Sequence, residues 1–172
     1  MNRGVIFEKM YQEQFSYVYN YIYMKVLHKE TAEEICGDVF LKAYEKIETY
    51  NYKLAGPRTW LCKIAHNCVV NHFQSSAVKK TVLTDEVEET AVEDDYTASA
   101  MPINREVERL LDKLNDEEKE IISLRYGMDI SVKELAEMKG VSPNAMTHRI
   151  TRILEKCRKI EEDSGNKFSD FF

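Results

Sequence analysis

The sequence predicts an all-α protein made of two small helical domains that are joined by a flexible acidic linker. Apolar residues recur every three to four positions through most of the chain, which is the period of amphipathic helices. One central segment breaks this pattern, and no segment shows the strict alternation that is typical of a half-buried strand. We place the first domain at residues 4–78, the linker at 79–102, the second domain at 103–160 and a tail at 161–172.

The first domain contains three amphipathic helices. The first helix presents the apolar residues Phe7, Tyr11, Phe15, Val18, Ile22 and Val26. The second helix begins at Thr31, where Glu34 completes a capping box, and the third helix follows Gly56 and Pro57. The second helix presents Ile35, Val39, Phe40, Ala43, Tyr44 and Ile47. The third helix presents Trp60, Leu61, Ile64, Ala65, Cys68, Val69, His72 and Phe73. Each stripe is wide enough to be buried, so we expect a compact three-helix core.

The segment between the domains is strongly acidic. From Asp85 to Asp95 it holds seven acids and no base, in a chain whose formal net charge is −6. With so few apolar residues, it cannot bury enough surface to offset the entropy of ordering its backbone. This composition therefore favours a flexible linker.

The second domain opens with two short helices. The first of them presents Val107, Leu110, Leu111 and Leu114. Asp116 caps the next helix, and Gly127 ends it. The apolar residues of that helix are Ile121, Ile122 and Leu124.

A helix-turn-helix pattern follows. Ser131 and Glu134 form a capping box, Gly140 can take the left-handed turn, and Ser142 caps a helix that starts at Pro143. The buried stripes of the two helices are Val132, Leu135 and Ala136, and then Met146, Ile150, Ile153 and Leu154. In such a motif the second helix enters the major groove of DNA.

Positive charge is concentrated in two places despite the acidic total. Residues 139–159 hold six Lys or Arg and one acid, and residues 53–84 hold no acid at all. Tyr50, Tyr52 and Trp60 lie at the start of the acid-free stretch. Cations interleaved with aromatic rings suit single-stranded nucleic acid, because bases stack on the rings while phosphates follow the charge. Trp60 heads an apolar stripe, so we expect it to pack in the core.

Other classes of protein fit the sequence poorly. No apolar run approaches the roughly 20 residues that span a bilayer, and the N-terminus leads straight into a mixed polar helix without a signal peptide. We therefore expect a cytoplasmic protein. The cysteines form no CxxC pair, so we predict no metal or other cofactor and expect buried, reduced thiols, with a thiol sensor as the alternative. The four residues are Cys36, Cys62, Cys68 and Cys157.

Three segments of the sequence resemble segments of a known protein family. Residues 38–44 and 58–67 resemble the two signature helices of sigma region 2, and residues 114–126 with the following helix-turn-helix resemble sigma region 4. In order and length the chain is similar to an extracytoplasmic-function (ECF) sigma factor of bacterial RNA polymerase. The resemblance implies an alternative sigma factor, without catalytic activity of its own, that directs core RNA polymerase to promoter DNA. It also implies binding to the polymerase clamp and flap, and an anti-sigma factor as partner.

The resemblance assigns residues to three surfaces. Contacts to polymerase would come from Asp38, Leu41 and Lys42. The melted −10 element would be held by Asn51, Tyr52, Lys53, Leu54, Arg58, Lys63, His66, Asn67 and Asn71. The −35 element would be read by Asn144, His148, Arg149 and Arg152.

Some positions depart from the family pattern, and two other functions are compatible with parts of the sequence. His66 stands where an arginine is usual, Thr147 stands where a lysine is usual, and residues 74–76 replace a basic run. Each change removes phosphate affinity, so we expect weak binding to free DNA. The alternative is a stand-alone helix-turn-helix regulator, which would bind duplex DNA tightly by itself. An enzyme fits less well, because no nucleophile–base pair, Gly-rich phosphate loop or carboxylate cluster is evident.

Overall fold

A computed structural model describes residues 3–80 and 105–163, which we call the first and second halves. The first half contains α1 (Arg3–Val26), α2 (Lys29–Lys46), a 3₁₀ turn (Ile47–Thr49) and α3 (Pro57–Lys80). The second half contains α4 (Arg105–Asp112), α5 (Asp116–Ile122), a π turn (Ser123–Gly127), α6 (Val132–Lys139) and α7 (Pro143–Asp163). The all-α prediction is confirmed, and these two ranges contain no strand. The predicted linker begins at residue 79, but α3 includes residues 79 and 80. The rest of the predicted linker and the end of the tail lie outside the described residues.

The first half is built around the predicted apolar stripes of α1, α2 and α3. Its buried residues include Val18, Ile22, Ile35, Val39, Phe40, Leu61, Ala65 and Val69. Tyr11 and Phe15 flank Phe40, with ring centroids 4.7 and 5.9 Å from it, and Trp60 packs against this core while partly buried. Aromatic rings at these spacings add to the stability that burial of their area provides.

Three members of the predicted stripes are exposed instead. Tyr11 is 41% exposed, although its ring contacts Phe40. Phe73 is 48% exposed, because no residue from 70 to 77 is buried and α3 therefore projects past the core at that end. Tyr44 is 42% exposed, although Phe7 and Arg3 contact its ring. The predicted burial of these three side chains is wrong.

Two predicted N-caps are also wrong by one or a few residues. His28, not Thr31, caps α2, and its Nδ1 accepts from the Thr31 amide at 3.3 Å. This cap follows Leu27, whose left-handed backbone (φ 53°) turns the chain out of α1. Asn115, not Asp116, caps α5 and completes a capping box with Glu118. Because the side-chain amide of Asn115 caps α5, the three acids that follow it lie in the first helical turn, where the helix dipole favours negative charge.

The helix-turn-helix has the predicted local structure. Ser131 and Glu134 form the capping box of α6, Gly140 is left-handed (φ 65°), and Ser142 accepts from the Ala145 amide at 3.2 Å. Buried apolar residues of the second half include Val107, Leu110, Leu111, Ile121, Ile122, Leu135, Met146, Ile150 and Ile153. The π turn after α5 is a feature that the sequence did not indicate, and it ends at Gly127 as predicted for the helix end.

The two halves pack against each other, and α1 lies between them. One face of α1 contacts α2 and α3, while a second face contacts the π turn. Tyr21 and Met24 belong to this second face and are fully buried. A Cβ at Gly127 would lie 2.9 Å from the N and Cα atoms of Tyr21, so only glycine lets the π turn approach the α1 backbone this closely.

The four cysteines are free and buried, as predicted. Burial raises the pKa of the Cys36 and Cys62 thiols to about 12, with a further contribution from Glu33 and Glu120 respectively. Little thiolate of Cys36 or Cys62 exists at neutral pH, which disfavours these two residues as thiol sensors. Within residues 3–80 and 105–163 no helix is long and apolar enough to cross a membrane, and no cluster of potential ligands could hold a metal ion.

Candidate nucleic-acid interface

The loop before α3 has a defined backbone and exposed apolar side chains. Asn51 Oδ1 accepts from the Lys53 amide at 3.0 Å, and the Asn51 carbonyl accepts from the Leu54 amide at 3.0 Å. Tyr52 and Leu54 are 75% and 83% exposed. A side-chain-to-backbone turn of this kind fixes the loop locally, so the two apolar side chains are presented to solvent by a preformed backbone. Tyr50 instead packs on Trp60, with ring centroids 5.0 Å apart.

Most of the polar residues predicted on α3 share one exposed face. Lys63, His66, Asn67 and Asn71 are exposed, and the first three line a cavity of about 360 Å³. The opposite wall of this cavity comes from the second half, through Glu120 and Lys139 among others. We call the loop 50–56 together with this face and Arg58 the −10 surface.

Arg58 is the exception on α3, because its side chain is committed to protein partners. Its guanidinium lies 3.7 Å from the ring centroid of Tyr17, and its Nε donates to Gln14 Oε1 at 3.2 Å. Its Nη1 pairs with Asp129 Oδ2 of the second half at 2.7 Å. The next residue, Thr59, donates from its hydroxyl to Glu134 Oε1 at 3.1 Å. The start of α3 is therefore bound to the second half.

Glu120 makes a second connection between the halves. Its carboxylate pairs with Lys25 Nζ at 2.7 Å and with His66 Nδ1 at 3.2 Å, and it accepts from the Tyr21 hydroxyl at 3.2 Å. Burial raises the pKa of Glu120, but the hydrogen bond and charge of Lys25 outweigh it, so the pKa lies below its ordinary value. Burial, together with Glu120, strongly raises the pKa of the Tyr21 hydroxyl, which therefore stays protonated and can donate.

The residues predicted to read duplex DNA lie on the outer face of α7. Asn144, His148, Arg149 and Arg152 are all exposed. Arg149 Nη1 pairs with Glu117 Oε1 of α5 at 3.2 Å, and Glu117 is itself exposed. Thr147, at the position where a lysine is usual, donates its hydroxyl back to the Pro143 carbonyl at 3.0 Å. We call this face the −35 surface.

The residues predicted to contact polymerase lie on α2. Asp38 is exposed and Leu41 is 59% exposed, so an acid and a large apolar side chain lie one helical turn apart on the outer face. Lys42 is half-buried, and its ammonium group donates to Cys68 Sγ of α3 at 3.4 Å. The outer face of α2 is thus mixed apolar and acidic.

The residues that join the halves were not predicted from the sequence. They are Tyr21 and Lys25 on α1, and Glu120, Asp129 and Glu134 in the second half. One signal was available, since Gln14, Tyr17, Tyr21 and Met24 recur at spacings of three and four and form a second stripe on α1. That stripe indicates a second packing partner for α1, although it does not identify the partner.

Comparison with known proteins decides the family. Residues 6–78 match the family description "Sigma-70 region 2", and residues 104–157 match "Sigma-70, region 4". The ECF RNA polymerase sigma factor BldN of Streptomyces coelicolor is 32% identical over 92% of this chain and 61% of BldN. The chain belongs to the ECF sigma factors. It spans less than two thirds of the length of BldN. The chain is also 27% identical to the RNA polymerase sigma factor YlaC of Bacillus subtilis, and this match covers 87% of the chain and 90% of YlaC.

The fold of this ECF sigma factor matches a solved structure. It superposes on the sigma factor RpoE, in the co-crystal structure with the anti-sigma factor NepR from Bartonella quintana, with a TM-score of 0.70. The match covers 91% of this chain and 96% of RpoE at 15% sequence identity. At that identity the likeness shows the fold.

Proposed function

We propose that this chain is an alternative sigma factor that binds core RNA polymerase and directs it to specific promoters, where it melts the −10 element and reads the −35 element. One observation carries the proposal: a single chain holds a region 2 match and a region 4 match, and each contains an exposed polar face suited to its nucleic acid. A stand-alone regulator needs only the helix-turn-helix and leaves the −10 surface unexplained. Both family matches and the named relatives favour the sigma factor.

The −10 surface has the chemistry that single-stranded DNA requires. Tyr52 and Leu54 offer apolar area to an unstacked base, and Lys53 and Lys63 supply positive charge for the adjoining phosphates. Extruding a base from duplex DNA costs a few kcal/mol, so a loop whose backbone is already fixed favours the melted state. We assign this surface to the non-template strand of the −10 element, with Asn67 and Asn71 as polar contacts further along α3.

The −35 surface suits duplex DNA. The N-terminal turns of α7 carry Asn144, His148, Arg149 and Arg152 on the face away from the core. Arginine can donate two hydrogen bonds to guanine in the major groove, while asparagine and histidine can bond bases or phosphates. We assign base reading chiefly to Arg149 and backbone positioning to the neighbouring side chains.

The remaining assignments concern partners and setting. The exposed pair Asp38 and Leu41 on α2 is our candidate for the polymerase clamp contact, and the second half would bind the flap. An anti-sigma partner is supported by the relative RpoE, whose solved structure holds the anti-sigma factor NepR. The chain would act in the cytoplasm, without a catalytic site of its own, since initiation chemistry belongs to the polymerase.

The test is transcription by a defined mixture. Purified chain is added to a bacterial core RNA polymerase on fragmented genomic DNA of the host, and the 5′ ends of the transcripts are sequenced. We expect chain-dependent start sites that share upstream sequences at −10 and −35 spacing. No binding to core polymerase by a folded chain would overturn the proposal in favour of the stand-alone regulator.

Matched variants locate the polymerase contact. Asp38→Ala should weaken core binding, because it removes a charge from the outer face of α2, while leaving duplex DNA binding unchanged. Glu33→Ala removes another exposed acid from a different side of the same helix and should leave core binding unchanged. Equal loss of core binding in both variants would show that α2 acts only through its general charge.

A further inference from the structure

One acid of α5 contacts the arginine that we assign to base reading. Glu117 Oε1 accepts from Arg149 Nη1 at 3.2 Å, and the two side chains are 68% and 43% exposed. Both residues line a cavity of about 330 Å³ between α5 and α7, and Arg152 lines it as well. The first turn of α5 therefore borders the −35 surface.

The next acid along α5 has a different set of partners. Glu118 Oε2 accepts from the Asn115 amide at 3.0 Å and from Lys156 Nζ at 2.6 Å, and its side chain is only 23% exposed. These bonds complete the capping box and join α5 to α7, so the role of Glu118 is structural. Glu117 takes no part in that capping box, and its carboxylate contacts Arg149 instead.

The contact with Glu117 uses one side of the Arg149 guanidinium. A guanidinium carries five N–H donors in a planar fork. Glu117 accepts from Nη1, and this bond does not use the edge that Nε and Nη2 form. Guanine presents its O6 and N7 acceptors to such an edge in the major groove. One arginine can therefore bind a carboxylate and a guanine at the same time.

The exposed pair contributes little to the stability of the fold, so its effect must lie in how Arg149 binds DNA. A long side chain loses rotamer freedom when it binds a base, and a partner that already restricts it reduces this loss. The negative charge of Glu117 also repels phosphates, which otherwise attract a guanidinium from DNA of any sequence. Both effects favour base reading over backbone binding by Arg149.

We propose that Glu117 is a specificity-determining residue, which orients Arg149 toward a guanine of the −35 element and disfavours its binding to phosphate. This inference rests on the proposed function, because it takes Arg149 to read that element. Glu117 is a positioning residue, since the arginine and not the carboxylate binds the base. A chain without this carboxylate should bind DNA of any sequence more readily and distinguish the base at that position less well.

Three variants of the full-length chain separate orientation from charge. Glu117→Ala removes one negative charge together with the contact to Arg149. Asp116→Ala is the matched control, because it removes another exposed acid from the same turn of α5 and leaves the Glu117 carboxylate in place. Glu117→Ala combined with Arg149→Ala shows whether the carboxylate acts through the arginine. Circular dichroism confirms that each variant keeps its helix content.

The measurement is selection of duplex DNA from a library randomised at the −35 element, by the chain alone and by its complex with core RNA polymerase. Sequencing of the bound DNA gives the discrimination ratio at the base pair that Arg149→Ala relaxes. We expect Glu117→Ala to lower this ratio about three- to tenfold and Asp116→Ala to leave it unchanged. Both variants should bind DNA of unrelated sequence about twofold more tightly, because each loses a charge that repels phosphates. In the Arg149→Ala background, Glu117→Ala should cause no further loss of discrimination.

Three results would overturn the inference. An unchanged ratio in Glu117→Ala, with a lowered ratio in Arg149→Ala, would show that the arginine reads its base without the carboxylate. An equal loss in Asp116→Ala would assign the effect to charge alone. A further loss from Glu117→Ala in the Arg149→Ala background would show that Glu117 contacts DNA directly.

The same selection judges the proposed function separately. If the chain alone selects sequences but does not bind core polymerase, the sigma assignment fails, and the comparison of Glu117→Ala with Asp116→Ala still decides the inference. If the complex with polymerase selects promoters and Glu117→Ala matches the wild type, the sigma assignment holds and only the role of Glu117 is rejected. A uniform loss of affinity in Arg149→Ala would reject base reading by this arginine, and the inference with it.

Discussion

The two DNA surfaces of this chain carry similar side chains in different settings. On the −35 surface, Arg149 pairs with a solvent-exposed acid of its own half. On the −10 surface, Arg58 is stacked on a tyrosine, and it pairs with an acid of the other half. Both acids are more than half exposed, so each ion pair alone contributes little. Arg58 differs because its guanidinium also contacts Tyr17 and Gln14 and is 28% exposed. Arrangement between the halves, more than composition, therefore distinguishes the two surfaces.

The largest effect on DNA binding should come from a substitution that destabilises the fold of the second half. Leu135→Ala deletes a fully buried side chain of α6 and should cost about 2–5 kcal/mol of stability. Binding to −35 duplex DNA should be lost, while binding of single-stranded DNA should be retained or increase, because the acids that cover Arg58 are released. Hydrogen exchange of the second-half amides, with anisotropy on both DNAs, measures this.

The exposed Leu41 provides the control for that experiment. Leu41→Ala truncates the same type of side chain at a surface position. It should leave amide hydrogen exchange and DNA binding unchanged. In Leu135→Ala, the amides of the first half should stay more protected from hydrogen exchange than those of the second half. Equal loss of protection in both halves would mean that the halves unfold as one unit, and it would contradict this prediction.

A smaller effect is expected from the −35 surface alone. Arg149→Ala should cost about 1–3 kcal/mol against one upstream base pair and relax specificity at that position. Lys159→Ala removes an exposed charge further along the same helix. It should weaken the binding of all DNA sequences slightly and by the same factor. Competition binding with a randomised −35 library measures both variants. A uniform loss from Arg149→Ala would reassign this arginine to the DNA backbone.

The smallest effect is a pH dependence of the contact between the halves. The pKa of Glu120 is lower in the folded chain than its ordinary value of 4.5, so its contribution to the contact between the halves is present above that value and is lost as the pH falls below it. Tyr21 and Lys25 of α1, His66 of α3 and Lys139 of α6 face this carboxylate. The radius of gyration should therefore increase on acidification below pH 4.5, and by less in Glu120→Gln. Identical curves for the two proteins would exclude Glu120 as a titrating contact.

Local structure was predictable from the sequence because its causes are local. The capping box at Ser131, the left-handed Gly140 and the helix start at Pro143 each depend on a few neighbouring residues. The same rules misplaced the caps of α2 and α5, where a histidine and an asparagine one to three residues earlier accept the amide bond instead. Several residues near a helix start can cap it, and the backbone that precedes them decides which one does.

The joining of the halves was not predictable in the same way. Tyr21 and Glu120 are far apart in the sequence, and neither belongs to a motif that names the other. The second stripe on α1 indicates that another element packs on it, but the stripe does not identify that element. The predicted −10 residues are exposed on α3 apart from Arg58, whose basic side chain gave no sign that it is already paired. The roles of these residues stay predictions until the variants are measured.

The ion pair between Arg58 and Asp129 has a consequence for salt titrations. DNA binding normally releases counterions from each phosphate that a cation neutralises, and the slope of affinity against salt is often taken as a count of those contacts. In this chain a phosphate that takes Arg58 also frees Asp129, which then attracts cations from solution. Part of the release is cancelled, so the wild-type slope should underestimate the number of phosphates bound.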